Sequence, residues 1–330
     1  MDFMNISKNQ LELLSPAGSF DCAKAAILSG ADSIYMGGRM FGARAYADSV
    51  LEDKINDTVM LCHDNNKKFY LTVNTLVKNK EFDGLKQYID QIADMNVDAF
   101  IVQDLGVAKF LKSRYKIPLH ASTQMAVFSD IGIKGLKDFG FTQVILPREL
   151  NISEIKKIRK NTDLKLEIFI HGSMCYSYSG TCLMSSFMGN NSGNRGRCKG
   201  ACRLEYSYKN NKSYCLSMKD MCGLKELPEL IDAGINSFKI EGRMRSEIYV
   251  AGVTDIYRKY IDYIITNNKL YDDNKLNNEI YKLNQIYDKA GFSNYFHIHN
   301  DKSMIQLINR KKRIPDEKVI NEIKNKYNLK

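Results

Sequence analysis

LELLSPAGSFDCAKAAILSGADSIYMGG (residues 11–38) contains two apolar runs separated by a segment with helical spacing. The first run ends in turn residues at 15–18, and Ser19 stands where a helix N-cap is expected. Gly30 stands where the helix should end, and the second run ends in two glycines. Residues 11–38 therefore predict a strand, a helix and a second strand in direct succession.

The same alternation continues along the chain. Six further segments have the composition of strands and are separated by helical segments: KKFYLTVNT (67–75), DAFIVQD (98–104), IPLHAST (117–123), TQVILPRE (142–149), LKLEIFIHG (164–172) and INSFKIEGR (235–243). Strands joined by helices run parallel, and nearly continuous apolar strands indicate a sheet buried on both faces. Eight such units in about 260 residues predict an α/β fold, a (β/α)8 TIM-type barrel. The alternative, an open doubly wound sheet, is disfavoured because no G-x-G-x-x-G follows the first strand.

The alternation also predicts the domain organisation. The barrel is expected over residues 11–267, with a long Cys-rich cluster loop at 172–222 after strand seven. Residues 1–10 are an N-terminal extension. Residues 268–330 lack the alternation, are rich in Asn, Lys and Tyr, and are expected to form a basic C-terminal helical appendage.

Composition narrows the classes of function. The net charge is +10 and the pI is about 9.0, and such a basic excess attracts polyanions, RNA among them. The first ten residues lack an apolar run, and no stretch approaches about 18 apolar residues, so we expect neither a signal peptide nor a membrane span. A cytoplasmic location follows, where eight cysteines are expected to be reduced thiols or ligands rather than disulfides.

The Cys-rich loop holds four cysteines with the spacing Cys-x6-Cys-x15-Cys-x3-Cys. They are Cys175, Cys182, Cys198 and Cys202. Zinc sites usually have closer ligand pairs, whereas four thiolates are also the usual ligands of iron–sulfur clusters. Spacing alone leaves both open, and Cys222 is an alternative fourth ligand.

Polar residues at the ends of the other strands should surround the same opening, because barrel active sites form at the C-terminal ends of strands. The candidate ligand-binding residues are Arg39, Arg44, Asn74, Gln124, Arg148 and Arg243. Arginine forks bind carboxylate or phosphate, so the arginines favour an anionic ligand, unless they form a structural rim with neighbouring acids. The candidate catalytic residues are Arg148, His171 and Glu241.

EIFIHGSMCYSYSGTCLMSS (167–186) resembles the signature of the peptidase U32 (collagenase-like protease) family. The resemblance extends, in order, to LELLSPAG, GADSIYMGG, FGARAYA, VNT, HASTQM, ILPREL and SFKIEGRMRS. It therefore covers most of residues 11–250.

The resemblance implies more than proteolysis. Some members are described as proteases or collagenases, while others act in oxygen-independent hydroxylation of a tRNA uridine, an rRNA cytidine or the ubiquinone ring. The hydroxylation members are similar to barrels with a four-iron four-sulfur cluster on four cysteines, and prephenate is implicated as oxygen donor for RNA. By this resemblance, Cys175, Cys182 and Cys198 match the first three cluster-ligand positions of these members. Cys202 matches the fourth of the RNA-modifying type.

The expected function is therefore iron–sulfur-dependent, oxygen-independent hydroxylation of an RNA base, with prephenate or a similar dicarboxylate as co-substrate. One alternative is a U32-type peptidase, although no catalytic set is recognisable. Another is a non-catalytic, cluster-bearing partner of a larger family member, because RNA-modifying relatives carry extra domains and a second U32-family subunit would supply them.

Overall fold

A computed structural model describes residues 10–43, 52–288, 291–293, 296, 302–307 and 314–329. Its strands are β1 (Glu12–Ala17), β2 (Ser33–Gly37), β3 (Lys68–Val73), β4 (Ala99–Val102), β5 (Leu119–Ala121), β6 (Gln143–Ile145), β7 (Lys165–Gly172), β8 (Tyr206–Tyr208), β9 (Asn211–Ser213), β10 (Asp220–Cys222), β11 (Ser237–Ile240) and β12 (Phe292–Ser293). Its helices are α1 (Phe20–Leu28), α2 (Glu52–Asp64), α3 (Phe82–Ala93), α4 (Leu105–Arg114), α5 (Asp130–Phe139), α6 (Ile152–Lys160), α7 (Met184–Gly189), α8 (Leu227–Asp232), α9 (Glu247–Asn267), α10 (Asp273–Ile286) and α11 (Glu317–Tyr327).

Eight parallel strands close into a barrel. Strands β1 to β7 pair in chain order, and β11 pairs with both β7 and β1, which completes the ring. Each of the eight predicted strands lies within a few residues of its expected position, so the predicted TIM-type barrel is confirmed. The predicted N-cap at Ser19 is also present, since its side chain accepts from the Cys22 amide.

Alternation along the barrel strands separates an outer apolar layer from a more polar interior. Outward-facing Phe69, Phe100 and Phe238 are fully buried beneath the helices. Ser15 also faces outward, where its hydroxyl bonds that of Thr254 on α9 at 2.9 Å. The residues that alternate with these point into the barrel and form the floor of the site.

The segment between β7 and β10, residues 173–219, is here named the cysteine cap. It holds the short helix α7 and the β8–β9 hairpin, elements that its Gly, Ser and Asn content did not predict. Strand β10 then pairs antiparallel with the end of β7, through Met221 with Gly172 and Cys222 with His171. The cap therefore begins and ends at the same edge of the barrel.

The described part of the C-terminal segment contains both helices and a strand. Helices α10 and α11 pack on α9. Phe292 and Ser293, however, form strand β12, which runs parallel to β10 and extends the sheet. Within the described ranges, every helix is too short or too polar to traverse a lipid bilayer.

Candidate active site at the barrel mouth

The cysteine cap lies over the C-terminal ends of the barrel strands. Asn194 of the cap accepts a hydrogen bond at 3.2 Å from the Leu76 amide, which follows β3. Across the opening, the Glu149 carboxylate, which follows β6, accepts from the Ser179 amide at 2.5 Å. The cap is therefore fixed to two sides of the mouth, and its cysteines lie at the end where barrel enzymes have their active sites.

The four predicted cysteine ligands converge within the cap. Burial raises the pKa of the Cys202 thiol, the Arg203 charge lowers it, and charges on the other three thiols raise it again, which places them close by. The other three are Cys175, Cys182 and Cys198. Each is at least partly exposed and is a free thiol.

Backbone amides already point at two of these sulfurs. The Met184 amide donates to the sulfur of Cys182, and the Gly200 amide donates to that of Cys198, both at 3.3 Å. In each case the donor lies two residues after the cysteine, and Gly200 reaches its position with a φ of +66°. Amide donors of this kind stabilise thiolates and set the potential of iron–sulfur clusters.

The cysteines are not arranged as a compact zinc site. Among the described residues, no set of three or more His, Cys, Asp and Glu side chains is arranged to hold one metal ion. A tetrahedral zinc site needs four sulfurs about 2.3 Å from one point, whereas a four-iron four-sulfur cluster binds each thiolate through a different iron. The four free thiols, two of which accept backbone amides, are a donor set that suits a four-iron four-sulfur cluster, and they leave the zinc alternative open.

The position of Cys222 makes it a poor substitute for Cys202. Cys222 lies in β10, fully buried against α9, with its sulfur 3.8 Å from the Tyr257 hydroxyl. Burial raises the pKa of its thiol to about 12. The geometry therefore favours Cys202 as the fourth ligand.

Beneath the cap, three cations are arranged around two aromatic rings. The Arg148 guanidinium lies 4.1 Å from the centre of the Phe169 ring, and Lys239 lies 5.4 Å from the same ring. Lys239 also lies 4.2 Å from the Tyr35 ring, which Arg243 approaches at 5.9 Å. Aromatic faces stabilise cations where water is excluded, so these rings hold positive charge inside the barrel.

A buried ion pair, missed in the sequence, anchors this arrangement. Lys239 contacts the Glu167 carboxylate at 2.7 Å, and both side chains are almost completely buried. Gln143 donates to the second oxygen of Glu167 at 2.5 Å. Burial raises the pKa of Glu167 and lowers that of Lys239, while their attraction opposes both shifts. The sequence does place a charged residue at an inward position of each of these two strands, Glu167 in β7 and Lys239 in β11, and this pattern could have indicated the pair.

Of the four predicted arginines, two reach this interior. Arg148 is partly buried, and within the described part of the chain its Nε has no hydrogen-bond partner. Arg243 is buried and donates to the Thr72 hydroxyl at 2.6 Å. Arg39 is exposed beyond the end of β2, and Arg44 lies outside the described residues.

The two predicted amide side chains meet at the mouth. Asn74 donates to the side-chain oxygen of Gln124 at 3.0 Å and accepts from the Ala43 amide at 3.1 Å. Gln103, directly after β4, lies 3.5 Å from the Gln124 carbonyl. The loops after β2, β3, β4 and β5 therefore share one polar rim.

His171 and Glu241 occupy a different environment from Arg148. His171 is buried among the rings of Tyr249, Tyr257 and Phe292, and burial lowers its pKa to about 3. Its imidazole is therefore neutral near pH 7, and its packing favours a structural role over the catalytic role expected. Glu241 is half-buried at the end of β11, near enough for its charge to oppose that shift.

Several known proteins are similar in sequence to this chain. The 23S rRNA 5-hydroxycytidine C2501 synthase of Escherichia coli is 42% identical over 79% of this chain and 41% of its own length. The tRNA hydroxylation protein P1 of Bacillus subtilis is 35% identical over 76% of this chain and 63% of its own. An uncharacterized protease of Methanocaldococcus jannaschii is 36% identical over 85% of this chain and 71% of its own length. The chain thus spans less than two thirds of the length of the first two relatives.

The family assignment follows from the extent of the match. The model of peptidase family U32 matches residues 18–306, which include every barrel strand except β1, and the whole cysteine cap. The chain therefore belongs to peptidase family U32.

Proposed function

We propose that this chain hydroxylates a pyrimidine base of tRNA or rRNA without molecular oxygen, in the cytoplasm, and holds a four-iron four-sulfur cluster in its cap. The observation that carries the proposal is the position of four free cysteines directly over a cation-lined barrel mouth. The ligands would be Cys175, Cys182, Cys198 and Cys202. When bound, the cluster would supply one-electron chemistry or a Lewis-acidic iron at the mouth.

RNA as substrate is supported by the relatives and by charge. Two of the most similar relatives are named for hydroxylation of rRNA or tRNA. The net charge of +10 suits a polyanion, because lysine and arginine release counterions from phosphates.

The co-substrate would be prephenate or a similar dicarboxylate. The Arg148 guanidinium packs on the face of Phe169, and its Nε has no hydrogen-bond partner among the described residues, so it is available to a carboxylate, which arginine binds bidentately. Arg148 would therefore bind one carboxylate, and Arg243 would contribute to the second. Arg39, Arg44, Asn74 and Gln124 would complete the rim, and Glu241 would hold or transfer a proton at the end of β11.

A peptidase remains the second candidate, because one relative is named an uncharacterized protease. A third candidate is a cluster-bearing partner of a second family member. The chain covers 41% of the E. coli synthase, so a second subunit could supply what the rest of that protein provides.

The test is a comparison of modified nucleosides. Total RNA from a deletion strain and its parent would be digested and analysed by mass spectrometry, with genes for the parent chain, Cys175→Ala and Cys215→Ala returned to the deletion strain. Cys215 is an exposed cysteine outside the proposed ligand set and serves as a matched control.

We expect one pyrimidine nucleoside, heavier by one oxygen atom, to disappear on deletion. The parent chain and Cys215→Ala should restore it, and Cys175→Ala should not. Unchanged nucleosides, together with gelatin hydrolysis that survives Cys175→Ala, would contradict the proposal and favour the peptidase.

A further inference from the structure

The cysteine cap exposes several large aromatic side chains. Phe187 on α7 is 83% exposed and Tyr208 in the β8–β9 hairpin is 73% exposed. Tyr176 and Tyr178 are also exposed, and Tyr178 contacts Phe128 of the rim at 5.7 Å between ring centres. Soluble proteins rarely expose such a group of rings without a binding role.

The exposed surface of the cap is also strongly basic. Residues 173–219 contain seven lysines and arginines and one acidic residue, Glu205. Arg195 pairs with Glu81 at 2.7 Å, and Arg203 donates to the Met174 carbonyl at 2.5 Å. Four others are exposed, namely Arg197, Lys199, Lys209 and Lys212.

Contacts within the cap hold the segments that carry these groups next to one another. The Lys199 amide donates to the Ser185 hydroxyl of α7 at 3.1 Å, which ties the basic segment to the helix bearing Phe187. The Tyr206 hydroxyl donates to the Ala201 carbonyl at 2.9 Å, which ties the hairpin to the same segment. In the hairpin, Lys209 lies 5.4 Å from the centre of the Tyr208 ring.

We propose that this exposed surface of the cysteine cap binds single-stranded RNA, an inference that rests on the proposed function. Unpaired bases stack on aromatic rings, while their phosphates contact nearby cations. A duplex presents phosphates but no free base faces, so it would contact the basic residues of the cap but could not stack on its aromatic rings. A protein partner would need to be acidic and apolar at once, whereas RNA supplies both features in every nucleotide. Binding here places an unpaired base beside the barrel mouth.

Fluorescence anisotropy with a labelled single-stranded oligouridylate tests the aromatic half. Phe187→Ala should weaken binding at least about fivefold, since stacking contributes roughly 1–3 kcal/mol per base. Phe187→Tyr, which keeps the ring, should bind like the parent, and Phe187→Leu should bind like Phe187→Ala. The control is Leu28→Ala, an exposed apolar residue at the end of α1, at the opposite end of the barrel.

Salt dependence tests the basic half. Replacing Arg197, Lys199, Lys209 and Lys212 by glutamine should reduce the slope of log K against log salt by about 3, at roughly 0.7 per cation for single strands. Lys157→Gln with Lys160→Gln, two exposed charges in the last turn of α6, should change the slope much less per charge removed.

The proposal is overturned if Phe187→Ala binds oligouridylate with the affinity of the parent protein. It is equally overturned if duplex RNA binds as tightly as single-stranded RNA and Phe187→Ala weakens both to the same extent. It is also overturned if Phe187→Ala changes only self-association in sedimentation, since the surface would then contact protein. These assays require no turnover. If RNA binding depends on Phe187 but no hydroxylated nucleoside is lost on deletion, the proposed function alone is refuted. If a hydroxylated nucleoside is lost on deletion but RNA binding does not depend on Phe187, only the proposed RNA-binding role of the cap is refuted.

Discussion

The Arg148 guanidinium is positioned by an aromatic ring rather than by a carboxylate. Its centre lies 4.1 Å from the Phe169 ring centre, and within the described ranges its Nε has no hydrogen-bond partner. Arginine tolerates this environment because its charge is delocalised, weakly hydrated and permanent. An anionic ligand would satisfy the partly buried donor, which explains why an arginine at this position favours ligand binding.

Replacement of Arg148 should therefore weaken the dicarboxylate complex. Arg148→Gln is expected to reduce prephenate affinity about 10- to 100-fold, because a charged hydrogen bond contributes about 1.5–3 kcal/mol. Arg148→Lys should not restore it, since an ammonium lacks the planar fork. Calorimetric titration measures this, with Arg114→Gln, an exposed arginine paired with Asp90, as the control. Equal affinity of the parent and Arg148→Gln would remove Arg148 from the binding site.

Two buried histidines couple the stability of the barrel to pH. His120, inside the barrel against the Tyr70 ring, and His171 are both fully buried, and burial lowers each pKa from 6.5 to about 3. Above pH 6.5 both imidazoles are neutral in the folded and unfolded states. Between pH 6.5 and about pH 3, the two histidines are protonated in the unfolded chain but stay neutral in the folded chain. The free energy of unfolding therefore falls as pH falls through this range.

Each histidine should contribute a slope of about 1.4 kcal/mol per pH unit between about pH 6 and pH 4. His120→Gln should remove one such contribution from the pH dependence of the unfolding free energy, whatever its effect at pH 7. Urea denaturation at several pH values measures the slope. A slope that is unchanged in the variant would show that His120 is protonated in the folded state.

At the scale of elements, the close approach of β2 and β3 to the loop after β11 positions Arg243. A Cβ on Gly37 would lie 2.5 Å from the Arg243 guanidinium and 3.1 Å from the Thr72 hydroxyl that accepts from it. Only glycine leaves room for the arginine at the end of β2. The backbone of one strand therefore determines where a side chain of another lies.

Gly37→Ala should displace Arg243 and reduce prephenate affinity about tenfold, with a loss of about 1–3 kcal/mol in stability from overpacking. Gly84→Ala is the matched control, because a Cβ at this exposed position in α3 meets nothing within 4 Å. It should stabilise the fold by up to about 1 kcal/mol through helix propensity. Titration calorimetry and denaturation measure both. Normal prephenate affinity in Gly37→Ala would show that this approach does not position a ligand-binding group.

The eight barrel strands were predictable from sequence because their apolar runs and glycine-terminated ends are local features. Elements that exist only through long-range pairing were not. Strand β10 has three residues and β12 has two, and each forms because its partner lies beside it. The Lys239–Glu167 pair was missed for the same reason, since strand composition does not reveal which inward residues face each other.

The cysteine quartet was predictable in number and position but not in geometry. The loop after strand seven was identified from its spacing, whereas the amides that point at Cys182 and Cys198 depend on turns, including the positive φ of Gly200. Arg39 illustrates the limit, because position after a strand did not predict its exposure.

Over the whole molecule, the C-terminal segment fastens the cap to the barrel. Strand β12 extends the sheet beside β10, and the fully buried Phe296 packs where a Cβ on Gly223 would approach it at 3.0 Å. Among the described residues after 268, α10 and α11 pack on α9, and β12 with Phe296 packs beside β10, so this part of the chain is folded against the barrel.

Phe296→Ala should destabilise the protein by about 3–5 kcal/mol, the usual cost of removing a buried aromatic ring. Ile314→Ala, at a position 86% exposed, should change stability by less than about 0.5 kcal/mol. Chemical denaturation measures both. Equal stability of the two variants would mean that the segment is not integral to the fold.

Iron and acid-labile sulfide should be quantified in the chain purified without oxygen, because a four-iron four-sulfur cluster contains both. The proposed cluster site predicts close to four of each per chain, lost together in Cys175→Ala, Cys182→Ala, Cys198→Ala or Cys202→Ala and retained in Cys215→Ala and Cys222→Ala. Parent protein with intact thiols and neither iron nor sulfide would contradict it, as would a cluster that survives Cys202→Ala but not Cys222→Ala.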